Sequence, residues 1–146
     1  MSQHIFVNLP VADLSRARSF YAALGFSFDE RFSGETSACV VVSEQIHIML
    51  LLREYFATFT PRPMGEPARD TSVLIALSRD SREAVEAFMQ AGLKAGGTDN
   101  GKVQDFDFMY GRSISDPDGN VLEPMWMDVT AFERTLGDEI NSAVDA

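Results

Sequence analysis

Hydrophobic and polar positions along the chain change period in a regular way. From Gln3 to Val11, Ile5, Val7 and Leu9 share one face while His4, Phe6 and Asn8 share the other. That is the two-residue period of a strand. Both faces are largely apolar, as expected for a strand covered by helices on one side and lining a pocket on the other. Pro10 lacks an N–H and closes the ladder. Asp13 then has the character of a helix N-cap, and Leu14, Ala17, Phe20, Tyr21 and Leu24 follow at helical spacing up to Gly25. Phe26 to Phe32 alternates again and predicts a strand ending at Ser33-Gly34. Ser37 to Ser43 predicts another, Glu44-Gln45 a tight turn, and Ile46 to Leu52 a further strand. The first half of the chain therefore reads βαβββ.

Tyr55 to Asp70 contains Pro61, Pro63, Gly65 and Pro67, a density that no regular element tolerates. It predicts a linker with one helical turn at Glu54 to Phe59. The pattern then restarts. Ser72 to Leu77 is β-rich, and Asp80-Ser81-Arg82-Glu83 has the form of a capping box. Ala84, Val85, Phe88 and Met89 supply an apolar helix face, and Gly92 marks its stop. Leu93 to Gly97 predicts an edge segment and Thr98 to Gly101 a turn. Phe106 to Ser115 and Asn120 to Met127 predict strands joined by the turn Asp116-Pro117-Asp118-Gly119. Asp13, Ala17, Phe20 and Gly25 correspond to Asp80, Ala84, Phe88 and Gly92 at an offset of about 67 residues, which points to a duplicated unit. Asp128 is a further N-cap for a short amphipathic helix over Val129 to Leu136, and Asn141 to Ala146 reads as a tail.

These elements divide one domain, residues 1–146, into a first βαβββ module (3–53), a linker (54–70), a second module (71–128) and a C-terminal helix and tail (129–146). With 146 residues and 45% hydrophobic content, the chain can bury a core without a disulfide or structural metal. Cys39 is its single cysteine, which excludes an intrachain disulfide and a Cys-based zinc site, and its apolar neighbours predict a buried, inert thiol. The net charge of −10, from 12 Lys+Arg against 22 Asp+Glu, argues against nucleic acid and anionic membrane as partners. The longest apolar run, Ile48 to Leu52, is too short to span a bilayer. Met1 to His4 lacks the character of a signal peptide, so the expected location is cytoplasmic.

Three features together resemble the vicinal oxygen chelate superfamily, which includes glyoxalases, bleomycin-resistance proteins and extradiol dioxygenases. They are Val11-Ala12-Asp13-Leu14 with Phe20-Tyr21 and Leu24-Gly25-Phe26, the repeated βαβββ pattern, and Asp116-Pro117-Asp118-Gly119-Asn120 followed by Val121-Leu122-Glu123. Met109 to Ser113 with Met125 to Asp128 resembles a lactoylglutathione lyase-like subgroup. The resemblance implies an α+β fold in which two βαβββ modules form curved half-barrels around a shared cleft, and family habit implies a homodimer. In metal-dependent relatives four His, Glu or Gln ligands enter that cleft, from the first and last strands of each module.

Carried over position by position, those ligands fall on Phe6, Met49, Leu74 and Glu123. Three of the four are apolar, and one carboxylate does not hold a divalent cation. No cofactor is therefore expected at that set. A displaced metal site is the alternative: His4 lies two residues before Phe6 and His47 two before Met49, on the same strand faces, and Glu123 would complete it. A strand mouth and a chain terminus are the plainer account of the two histidines. Glu123 is the candidate catalytic residue, since apolar walls favour its neutral acid form and suit it to acid–base work; a carboxylate paired with arginine is the alternative. Phe6, Asn8, Met49, Leu74, Tyr110 and Met125 are the candidate ligand-binding residues, Asn8 and Tyr110 for hydrogen bonding and the others for apolar contact. Arg112 is a candidate cation for an anionic substrate, or a solvated arginine near a turn. Two functions follow: an enzyme acting on a small molecule through Glu123, and a non-catalytic module that sequesters a drug-like ligand as bleomycin-resistance proteins do.

Overall fold

The computed structural model describes residues 2–145, and side chains as far as residue 141. Two four-stranded mixed sheets carry the fold. The first contains β1 (Ile5–Val11), β2 (Ser27–Phe28), β3 (Ser37–Val41) and β4 (Ile46–Leu52) in the order β1-β4-β3-β2. The second contains β5 (Leu74–Ser78), β6 (Thr98–Phe106), β7 (Met109–Ser115) and β8 (Val121–Met127) in the order β5-β8-β7-β6. Each sheet joins its first and last strands in parallel and the rest antiparallel. The modules repeat one topology, each with one long helix: α1 (Leu14–Ala23) and α3 (Arg82–Lys94). These are the expected βαβββ modules and the expected α+β fold. A short helix α2 (Arg53–Ala57) opens the linker, and α4 (Val129–Asp145) follows the last strand. No helix among the described residues is long and apolar enough to cross a membrane.

Strand alternation builds a shared core. Leu9, Val11, Ala38, Val40, Ile48 and Leu50 from the first sheet meet Leu77, Ile114 and Leu122 from the second, with Ala17, Phe20 and Tyr21 of α1 and Phe88 and Met89 of α3 between them. At about 25 cal/mol per Å2 of apolar area, full burial of each large side chain contributes about 1.5–3 kcal/mol. The helices pack where glycine lets them approach. A Cβ on Gly92 would lie 2.5 Å from Ile114 Cδ1 and 3.3 Å from Leu24 Cδ2. Gly92 is therefore a contact inside α3 and not its stop; the helix runs to Lys94, and Gly96, at φ +105°, turns the chain away.

Several local expectations are corrected in this way. The N-cap of α3 is Ser81, whose Oγ accepts from Ala84 N at 3.0 Å, one residue later than the capping box predicts. The strand over Phe26–Phe32 is confined to Ser27–Phe28, because Asp29 Oδ1 accepts from Arg31 N at 3.1 Å and starts a 3-10 turn, Glu30–Phe32. The turn over Thr98–Gly101 lies inside β6. Asp99 Oδ1 accepts from Gly101 N at 2.8 Å and Gly101 takes φ +79°, so the turn chemistry makes a bulge between Asp99 and Val103 rather than a reversal. Asp128 Oδ1 does cap α4, accepting from Ala131 N at 3.0 Å. That helix continues past Leu136 to Asp145, replacing most of the expected tail; Ala146 lies outside the described residues.

The modules are tied by the turn between β7 and β8. Asp116, 3% exposed, accepts through Oδ1 from Asp118 N and Asn120 N, both at 2.9 Å. Its Oδ2 accepts from Asn120 Nδ2 at 3.0 Å and from the hydroxyl of Tyr21, on α1 of the other module, at 2.9 Å. Asn120 Nδ2 also donates to Pro10 O at 3.2 Å, and Asp118 Oδ1 accepts from Ala12 N at 2.9 Å and Arg16 at 2.8 Å. Burial pushes the Asp116 carboxyl above its ordinary value, against the lowering effect of these donors. Burial, followed by the charge of Asp116, pushes the Tyr21 phenol well up.

Tyr21→Phe removes one buried, charge-assisted bond and should cost about 1.5–3 kcal/mol in urea unfolding at neutral pH. A carboxyl raised in the folded state favours folding below its unfolded value, and that contribution is lost as pH rises through the folded value. Without Tyr21 the carboxylate is harder still to keep ionised. The cost of Tyr21→Phe should therefore be largest near neutrality and shrink as the medium becomes acidic enough to protonate Asp116. A cost independent of pH would place the bond elsewhere. Gly97 gives a steric test: a Cβ there would lie 2.9 Å from Gly92 O, Ile114 Cδ1 and Phe20 Cε2. Gly97→Ala should destabilise by about 1–3 kcal/mol, whereas Gly34→Ala, with nothing within 4 Å of its Cβ, should stay within about 0.5 kcal/mol.

Candidate functional site

The sheet faces turned away from the helices differ in chemistry. On the first sheet, Phe6, Asn8, His47, Met49 and Cys39 alternate with the core residues of β1, β4 and β3. Parallel register sets Phe6 beside His47 and Asn8 beside Met49. The Phe6 and His47 rings stack at 4.7 Å and 12°, and His4 stacks on His47 at 5.8 Å and 16°. His47 is buried, and its Nδ1 has no hydrogen-bond partner among the described residues. Cys39 is buried, as expected, and burial pushes its thiol up.

The open face of the second sheet is more polar. The β6 bulge brings Asn100 and Lys102 onto it. Lys102 Nζ lies 3.0 Å from Glu123 Oε2 on β8. Asn100 Nδ2 donates to Ser113 Oγ at 2.9 Å, and Ser115 Oγ donates to Asn100 Oδ1 at 3.0 Å. Leu74 and Val121 supply the apolar floor of this groove, and the linker at Pro67 to Arg69 covers one side. Glu123 thus has a cation beside it, which corrects the expectation of a carboxylate among apolar walls and matches the ion-paired alternative, with lysine in place of arginine. Lys102 is remote in sequence, so inspection of the neighbours of Glu123 does not find it.

Between the modules lies a cavity of about 200 Å3. Asn8 and Pro10 of β1, Ile75 of β5 and Val121 of β8 form its walls, and Phe56 with the linker through Val73 forms its roof. The roof is held by close contact: a Cβ on Gly119, at φ +97°, would lie 2.6 Å from backbone atoms of Pro67 and Ala68. Glycine is required there twice over, for its conformation and for the linker backbone to rest on the turn. The polar side chains lining the cavity belong to Asn8, Glu66, Asp70, Thr71, Ser72 and Asn120, with no Lys or Arg among them.

The sequence-predicted residues are therefore divided. Asn8 lines the cavity, and Leu74 shares the groove with Glu123. Phe6, Met49 and Met125 occupy open faces outside both spaces. Tyr110 lies on the helix side of β7, where its hydroxyl donates to Glu86 Oε1 on α3 at 2.5 Å; this corrects its place as a ligand-binding residue. That bond, followed by burial, pushes its phenol up. Arg112 also faces α3, bonded to Glu86 and Asp99 at 2.6 Å each, so it is not a cation waiting for an anionic substrate. His4 and His47 belong to the first sheet and Glu123 to the second. Among the described residues, no three His, Cys, Asp or Glu side chains are grouped to hold a metal. Phe6, Met49 and Leu74 offer no hard donor and Glu123 is paired with an ammonium, so the set at the four carried-over positions does not fit a divalent cation.

A family model described as bleomycin resistance protein-like N-terminal matches residues 3–43. No curated protein matches the chain. Among solved structures, a hypothetical protein from S. aureus is 24% identical with a TM-score of 0.73, covering 86% of this chain and 95% of that one. A glyoxalase/bleomycin resistance protein/dioxygenase family enzyme from Burkholderia phytofirmans is 20% identical with a TM-score of 0.71, covering 86% and 99%. An antibiotic binding protein from a Streptomyces species is 21% identical with a TM-score of 0.60, covering 87% and 97%. The chain thus has the fold of the glyoxalase/bleomycin resistance/dioxygenase proteins, and its first module is similar to the N-terminal part of bleomycin-resistance-like proteins.

Proposed function

We propose that this protein binds a small molecule with a largely apolar body in the cavity between its modules, as a binding protein and not as a metal-dependent lyase. The observation that carries this reading is the cavity itself: concave, walled by Pro10, Ile75 and Val121, roofed by the linker, and edged by a few polar groups. Glu66 and Asp70 at its edge are paired with Arg53 and Arg69, which favours a neutral end of the ligand on that side. The likeness of the first module to bleomycin-resistance-like proteins supports the reading, as does the shared fold with an antibiotic binding protein.

Thermal-shift screening of aromatic natural products should identify a stabilising ligand, whose affinity calorimetry then measures. Val73→Trp, at an exposed position of the roof, should weaken that ligand by about tenfold or more while leaving the melting temperature of the free protein within a few degrees. Treatment with EDTA should leave the affinity unchanged. Loss of binding in EDTA, restored by a divalent metal, would overturn the reading; unaltered affinity in Val73→Trp would place the ligand elsewhere.

We infer also that two copies associate. Ile5 and Ile46 are register partners on neighbouring strands and both are exposed; Phe6, on the opposite face of the edge strand β1, is exposed as well. Exposed apolar side chains on both faces of an edge strand suit a two-fold contact with a second copy that covers the edge. Light scattering should give twice the 16.1 kDa chain mass, and Phe6→Glu should shift the protein toward one chain mass. A single chain mass for the wild type at micromolar concentration would reject the association.

A further inference from the structure

We propose that the groove on the open face of the second sheet is an anion subsite, in which Lys102, with Asn100 and Ser113, receives the carboxylate of a ligand whose apolar body lies toward the cavity. This deepens the binding reading above and rests on it for the position of the apolar body only. The groove, about 440 Å3, is continuous with the cavity: Pro67, Thr71, Gly119 and Val121 line both. One ligand can therefore touch the two spaces at once.

The donors converge for a reason that can be traced in the chain. Gly101 makes the β6 bulge, and the bulge turns Asn100 and Lys102 onto the same face as Ser113. Ser113 is 4% exposed, and its Oγ accepts from Asn100. The hydroxyl proton of Ser113 has no acceptor among the described residues. Lys102 directs one N–H to Glu123 and keeps two. A buried hydroxyl, an amide and an ammonium with unused donors together suit one anionic oxygen group. Two cations line the groove, and each is already paired: Lys102 with Glu123, and Arg69 with Asp70 at 3.1 Å. So little net positive charge matches a monoanion better than a phosphate dianion. Leu74 and Val121 form the adjacent apolar floor, so an aryl or alkyl carboxylate fits better than a small inorganic anion.

Glu123 has a defined part in this arrangement. It holds Lys102 in place while the groove is empty and competes with the incoming carboxylate for the same ammonium. Its removal therefore has an expected sign: binding of an anion should tighten.

The probe is benzoate, with benzyl alcohol as its neutral counterpart and inorganic phosphate as the competitor, followed by calorimetry and by amide shifts in NMR spectra. Benzoate should bind with shifts at Asn100, Lys102 and Ser113. Lys102→Met should weaken it at least about tenfold and leave benzyl alcohol unchanged. Lys102→Arg should restore benzoate binding to within about threefold, which separates loss of charge from damage to the fold. Glu123→Gln should tighten benzoate by about threefold or more. Equal benzoate affinity in wild type and Lys102→Met, weaker binding in Glu123→Gln, or no benzoate binding at all would overturn the subsite. Preferential binding of phosphate would overturn its assignment to carboxylates. Benzyl alcohol shifting Asn8 and Val73 while benzoate ignores Lys102 would leave the cavity reading standing and remove this one. Loss of both ligands would remove both.

Discussion

The buried carboxylate of Asp116 is the constraint on which the arrangement of the two modules depends. Its two oxygens accept four hydrogen bonds, three from its own turn and one from Tyr21 across the module boundary. An ionised group so deeply buried is costly unless its acceptor sites are filled, and here they are. The same turn then reaches further. Asn120 bonds to Pro10 of β1, Asp118 bonds to the chain entering α1, and Gly119 receives the linker. One short segment therefore fixes the first strand, the first helix and the roof of the cavity relative to one another. Functionally, it turns two repeated modules into a single walled space.

Duplication of the modules does not make their faces alike. The turn from β3 to β4 carries only the exposed Glu44, whereas its counterpart between β7 and β8 carries the buried Asp116. The first sheet presents stacked rings and sulfur; the second presents an ion pair, an amide and hydroxyls. The bulge in β6 has no counterpart in the pairing of β2 with β3 and accounts for much of the difference. A largely apolar cavity and a polar groove that share Pro67, Thr71, Gly119 and Val121 can take opposite ends of a single asymmetric molecule.

Much of the fold was legible in the sequence, because strand alternation and the apolar spacing of the helices survive in both modules. Asp13 and Asp128 cap the helices that their positions predict. The misread stretches share a cause: polar turn-forming residues were put to another use. Asp29 starts a 3-10 turn and Asn100-Gly101 makes a bulge, while Gly92 serves close packing between helices. The candidate site was legible only in part. Period-two alternation put Asn8 on the face of β1 opposite Leu9, and the resemblance supplied Leu74 and Glu123, which share one groove. Alternation failed for Tyr110, which depends on which side of β7 faces α3, and it had no means to find Lys102, which reaches Glu123 only because the chain bulges one strand pair away. Phe56 and Val73 enter through the linker, whose path is set by packing on Gly119 and not by any local pattern.

The most direct test of the central claim is a structure of the protein with a bound aromatic ligand, obtained with wild-type protein at saturating ligand. Density for the ligand is expected between β1 and β5, in contact with Asn8, Ile75 and Val73, with the Tyr21–Asp116 bond intact and no metal between ligand and protein. A ligand lying instead on the His4–Phe6–His47 stack, or held by a metal ion at Glu123, would contradict that claim.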